Sequence, residues 1–85
     1  GRETFFKEIA RTPHTVICYE SVHRITKTLE SLQEHIPGRT VFIARELTKI
    51  FEQGITGIPE ELVEYFSGHP DKILGEFVIV VGPEK

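Results

Sequence analysis

The chain has no methionine, a single cysteine (Cys18) and a single aspartate (Asp71) in 85 residues. One cysteine excludes an internal disulfide, and together with a well-charged composition it fits a reducing, cytoplasmic setting. No apolar run approaches the ~20 residues that a membrane-spanning helix needs. The N-terminal GRETFF interleaves charges with apolar residues and lacks the layout of a secretory signal. Basic excess is missing too: 10 Lys and Arg stand against 13 Asp and Glu, a net charge of −3. That balance gives no support for a free-standing nucleic-acid binder, which usually carries a basic footprint. No Met occurs and Gly1 opens inside a helical pattern, so the 85 residues read as a fragment of a longer protein.

Motif absences narrow the chemistry further. There is no G-x-x-x-x-G-K-[ST] and no G-x-G-x-x-G to cradle a phosphate. No G-x-S-x-G elbow presents a serine nucleophile, so Ser21 beside His23 reads as a helix cap rather than part of a triad. His14, His23, His35 and His69 lack H-x₃-H or C-x₂-C spacing, so no metal is expected.

What is present describes a small folded domain. Hydrophobic residues make up 39% and charged residues 27%, an ordinary α/β composition. A chain this short hides only about 60% of its unfolded surface, so one domain is the most it can build. Residues 2–11 place Phe5, Phe6, Ile9 and Ala10 on one helical face, and Thr12-Pro13 ends that helix. TVICY, 15–19, is β-branched and apolar, and reads as a strand buried on both faces. Val22, Ile25, Leu29, Leu32 and Ile36 step by three and four, which predicts an amphipathic helix over 22–36, capped by Ser21 and stopped by Pro37-Gly38.

TVFIA, 40–44, reads as a second buried strand. Residues 50–56 alternate and suit a half-exposed strand near an edge. Pro59, Glu60 and Glu61 open a helix whose face is Leu62, Val63 and Phe66, closed by Gly68 and Pro70. EFVIVV, 76–81, is the most apolar strand and is expected to be central. The resulting fold class is α/β, a mixed four-stranded sheet with three helices in the order α-β-α-β-β-α-β. The first two strands flank a helix and should run parallel to each other, with the last strand opposed to both.

This topology collects polar residues at one rim of the sheet. Tyr19 and Glu20 leave the first strand, and Arg45 and Glu46 leave the second. Lys49 and Glu52 lie at the start of the third, and Gly75 and Glu76 open the fourth. Crevices at strand ends are where ligands favour open α/β sheets. Four carboxylates would repel one another, with Arg24, Arg45 and Lys49 at hand to neutralise them. A structural ion network and a ligand site account for that composition equally well.

Three stretches add a resemblance. TVICYESVHR, VFIARELTKIFEQGITGIPEEL and ILGEFVIVV, in this order, resemble the C-terminal subdomain of the ribosomal small-subunit RNA cytidine 2′-O-methyltransferase family, within the tetrapyrrole (corrin/porphyrin) methylase superfamily. The matching patterns are E-x-x-H-R, A-R-E-L-T-K with a glutamate three residues on, and G-E-F-V-x-V-V, and they cover essentially the whole chain. Val22 stands where the family often has proline, and Gly57-Ile58 where it has Gly-Thr.

The resemblance implies that residues 1–85 form a single C-terminal methylase subdomain of a two-domain enzyme. S-adenosylmethionine would lie between this domain and an N-terminal one that carries the cofactor- and RNA-accepting motifs. It implies cofactor-facing roles for Tyr19, Glu20, Arg45, Glu46, Gly75, Glu76 and Phe77. His23, Arg24, Lys49 and Glu52 would form the cleft rim. It leaves the catalytic group unassigned and expects the fragment alone to be inactive. The implied partner is ribosomal RNA in the small subunit, met by the full-length enzyme, with no membrane and no metal. A homodimer is compatible with the apolar surface that a missing domain would uncover. Two other readings stand beside it: a tetrapyrrole methyltransferase domain, and a noncatalytic interaction module whose rim docks a protein.

Overall fold

The computed structural model describes residues 2–47, 50–51 and 54–83. Helix α1 (Arg2–Arg11) leads into β1 (Val16–Ser21), α2 (Ile25–His35) and β2 (Val41–Leu47). Two short strands follow, β3 (Ile50–Phe51) and β4 (Ile55–Gly57), then α3 (Pro59–Gly68), a 3₁₀ turn (Pro70–Lys72) and β5 (Glu76–Val81). The predicted element order is the observed one, with the expected third strand realised as β3 and β4, both laid against β2.

Strand order across the sheet is β1-β5-β2, then β3 and β4 at the far edge. β5 is central, as its apolar run predicts. It inserts between β1 and β2, which therefore point the same way without touching, and every pairing is antiparallel. Among the described residues the sheet is therefore antiparallel throughout, within an α/β fold. A β-α-β connection leaves a one-strand gap, and the last strand fills it.

All three helices contribute to a core on one face of the sheet, with α2 packed between α1 and α3. Phe6 and Ile9 of α1, Ile25, Leu29 and Leu32 of α2, and Leu62 and Phe66 of α3 are buried there. They meet Val41, Ile43, Phe77, Ile79 and Val81 from the sheet. Burial of this apolar surface is the main favourable term.

Two sequence expectations change here. β1 is not buried on both faces: Ile17 is 63% exposed and Tyr19 is 74% exposed, because no layer among the described residues covers the other side. Phe42, in the second strand, is 39% exposed on that same side. Ser21 is not a helix cap either. It is the last residue of β1, paired with Glu76, and the chain turns through 22–24 before α2 begins at Ile25. α3 begins as expected, with Pro59 in its first turn and the Glu61 carboxylate accepting the Ile58 N–H at 2.9 Å.

Arg39, in the α2–β2 connection, closes the structure. It is only 8% exposed. Its Nη1 donates to the carbonyls of Ile9 (3.0 Å) and Thr12 (2.7 Å). Its Nη2 donates to His14 (3.1 Å) and Gly82 (2.6 Å), and Nε donates to Gly82 as well (3.0 Å). One fork thereby joins the end of α1, the segment entering β1, and the residue leaving β5.

Replacing Arg39 by Met keeps the stem but leaves those four carbonyls without the fork. We expect unfolding free energy to fall by about 3 kcal/mol or more, from several lost charged hydrogen bonds. Arg11→Met removes only an exposed pair with Glu8 and should cost about 0.5 kcal/mol or less. Urea titrations of the two variants test this, and equal midpoints would refute the clamp.

Candidate functional site

Antiparallel pairing puts opposite residues on the same face, so register sorts the rim residues into rows. Glu20, Phe77 and Arg45 form one row, with Phe77 facing Glu20 on one side and Arg45 on the other. This row points at the helices. The next row toward the strand ends holds Ser21 and Glu76, on the open face, with Glu46 opposite Glu76 by register. Tyr19, Val78 and Ala44 form the open-face row behind it.

Glu20 is 9% exposed and its carboxylate is engaged inside the protein. One oxygen accepts the Thr28 hydroxyl at 2.5 Å, and the other accepts the backbone N–H of Ser21 at 3.0 Å. Thr28 is itself buried on α2. The pair fastens the end of β1 to the second turn of α2 and so fixes the 22–24 turn between them. A buried carboxylate must be hydrogen-bonded to be tolerable, and these donors meet that need.

Phe77 is fully buried, its ring edge-on to Phe66 of α3 at 5.7 Å between centroids. Only its backbone belongs to the rim. Arg45 is half-buried in the same row. Gly75 adopts φ 78, a left-handed conformation that glycine takes without steric cost. Gly75 itself thus adds no side chain at the start of β5. Glu76 is exposed.

Structure thus brings Glu20, Arg45, Glu46 and Glu76 to one end of the sheet, as the topology argument expected, and Phe77, named by the resemblance, lies beside them. It separates their side chains by face, however. Tyr19 projects into the open face and Glu20 into the helix layer, so the two do not line one surface. His23 and Arg24 lie exposed in the turn that Glu20 and Thr28 anchor. Lys49 and Glu52 lie outside the described residues. Among the described residues, no group of three metal-ligating side chains converges.

Two contributors escaped the sequence reading. Thr28 sits inside an amphipathic helix, where a lone threonine gives no warning of a buried partner eight residues upstream. Arg39 follows Pro37-Gly38 and reads as loop; a charged residue directly before a buried strand is the only hint.

Known proteins are similar along nearly the whole chain. The ribosomal RNA small subunit methyltransferase I of Vibrio cholerae is 42% identical over 83 residues, 95% of this chain and 28% of that protein. The protein of the same name from Hydrogenobaculum sp. is 39% identical over 85 residues, 99% of this chain and 36% of that one. That of Erythrobacter litoralis is 34% identical over 83 residues, 98% of this chain and 29% of that protein. This chain belongs to their family. It spans about a third or less of the length of these relatives. No protein-family model matches it.

Thr28→Val removes one donor from the buried Glu20 carboxylate. We expect a loss of about 1–3 kcal/mol, the cost of stranding a buried acceptor. In a Glu20→Gln background the same change should cost measurably less, since the charge is gone. Denaturation of the four proteins in this cycle measures the coupling, and a coupling of zero would remove Glu20–Thr28 as the anchor.

Proposed function

We propose that this chain is the C-terminal, cofactor-supporting part of an rRNA methyltransferase that uses S-adenosylmethionine and methylates the 2′-oxygen of a cytidine ribose in the small subunit. The observation that carries the reading is the similarity of 33–42% to small-subunit rRNA methyltransferases across nearly the entire chain. S-adenosylmethionine would supply an electrophilic methyl group. A domain of this kind contributes mainly by positioning and by the field it sets around the transferred group.

The residues fit a nucleoside-type cofactor chiefly through backbone. Gly75, which has no side chain, would offer its main chain at the opening of β5, with Glu76 and Arg45 on the neighbouring rows. Glu20 serves from behind, holding the turn that carries His23 and Arg24. Those two face solvent and are suited to bracing an RNA backbone. In this reading Tyr19, Glu46 and Phe77 shape the rim, and Lys49 and Glu52 extend it. The 85 residues by themselves supply one wall of the site and are inactive.

The test uses methyl-labelled S-adenosylmethionine, the full-length parent protein and small subunits that lack the modification. Label should appear on a cytidine ribose, and none should be transferred by the 85-residue chain. Gly75→Val in the parent should weaken cofactor binding by calorimetry at least tenfold, by obstructing the approach and straining φ. Label on a tetrapyrrole instead would reassign the acceptor. Absence of any cofactor binding to the parent would reduce the domain to an interaction module.

A further inference from the structure

The buried Glu20–Thr28 bond holds a turn whose exposed side chains are basic. Between Glu20 and Glu30 the chain carries no acidic residue, although acidic residues outnumber basic ones by 13 to 10 overall. His23, Arg24 and Lys27 fall inside that interval, and all three are exposed. Lys27 stands one turn along from Arg24, so the two are neighbours on the helix surface. Among the described residues neither Arg24 nor Lys27 pairs with a carboxylate, whereas Arg11 pairs with Glu8 and Arg39 is engaged with carbonyls.

These charges do not serve the helix that carries them. Arg24 occupies the N-cap position without a side-chain cap bond, and the first turn of α2 holds no acidic residue. Cations at the positive end of the helix dipole, with Glu34 near its negative end, oppose α2. Its start is held in other ways. The Arg24 N–H donates to the Ser21 carbonyl at 3.1 Å, and the Thr28 N–H donates to the Arg24 carbonyl at 2.8 Å. Glu20 then takes the Ser21 N–H on one oxygen and the Thr28 hydroxyl on the other. Both flanks of the 22–24 turn are thus tied to one buried carboxylate.

We propose that Thr28, acting through Glu20, is a positioning residue for the acceptor RNA. It fixes the turn that presents His23, Arg24 and Lys27 to the phosphate backbone, and at 2% exposure it touches neither RNA nor cofactor. This role rests on the methyltransferase reading above, and assigns the turn to the acceptor and not to the cofactor. Charge decides between the two. The sulfonium and ammonium of S-adenosylmethionine outnumber its single carboxylate, so a cluster of cations repels the cofactor as a whole. An RNA strand is negative at every phosphate and is drawn to the same cluster. Phosphate contacts set the position and orientation of the bound strand. A turn free to move must be ordered at each encounter, and that cost falls on acceptor binding.

The test uses the full-length parent, small subunits that lack the modification and methyl-labelled S-adenosylmethionine. Thr28→Val should raise KM for the subunits about fivefold or more and leave kcat within about twofold. The calorimetric Kd for S-adenosylmethionine should not change. Thr28→Ser, which keeps the hydroxyl, should restore the wild-type KM. Ile79→Val, a core change away from the turn, should leave KM unaltered, which separates positioning from lost stability. Lys27→Gln is an exposed change that leaves folding alone. It should raise KM and lower the slope of log KM against log salt by about 0.7, the share of one phosphate contact. An unchanged KM in both Thr28→Val and Lys27→Gln would overturn the assignment. So would a weakened cofactor Kd with KM for the subunits intact, which would give the turn to the cofactor. An equal rise in KM for Ile79→Val would reduce Thr28 to a fold contact. No transfer by the wild-type parent would sink the methyltransferase reading itself, and this role with it.

Discussion

A single buried guanidinium holds the chain's ends and connections in register. Arg39 reaches the last carbonyls of α1, the segment entering β1 and the exit of β5, so it ties the α1–β1 connection to the far end of the chain. A desolvated charge is expensive, and only a full set of partners makes it tolerable. Five bonds to four carbonyls supply them. Two of those carbonyls, of Ile9 and Thr12, lie at or just past the C-terminus of α1, where the helix dipole is negative. The position of Arg39 also explains how β5 enters the gap between β1 and β2. The residue lies two before β2, and its fork grips Gly82 just beyond β5, so the two strands are pinned at matching ends.

Within that frame, the alternation of strands decides which rim residues can act together. Tyr19 and Glu20 are neighbours in sequence and strangers in space: one is in solvent, the other under α2. Glu20 earns its burial by tying β1 to Thr28, and its chemistry is spent on that bond. The rim's accessible groups are consequently Gly75, Glu76, the 22–24 turn and the open face, while Phe77 serves the core. A ligand at this end would meet backbone and turn residues before it met the buried carboxylate.

Periodicity carried much of this fold. The three-four spacing of Ile25, Leu29 and Leu32 and the run EFVIVV locate α2 and the central strand, because burial demands those patterns. The β-α-β connection gave strand directions. Which face of a short apolar strand is covered was not legible: TVICY looks doubly buried because Ile17 and Tyr19 are as apolar as a core requires, yet among the described residues no second layer buries them. Ser21 was misread for a related reason. A serine ahead of an amphipathic stretch matches a cap, but the register with β5 extends as far as Glu76 and keeps Ser21 in the sheet. Long-range pairing overrode a local preference. Of the candidate site, the convergence of strand ends could be deduced from topology, whereas the partners of Glu20 could not, since nothing in the spacing of residues 20 and 28 distinguishes a buried hydrogen bond from two surface groups.

The two faces of the sheet therefore answer to different constraints. The helix-facing rows are fixed by packing and by two polar anchors, so their residues are determined by this chain alone. The open-face rows are apolar, with Ile17, Tyr19 and Phe42 exposed and Val78 and Val80 half-buried. Register hides Glu20 and exposes Tyr19 one residue away, so a single step along β1 separates the two faces.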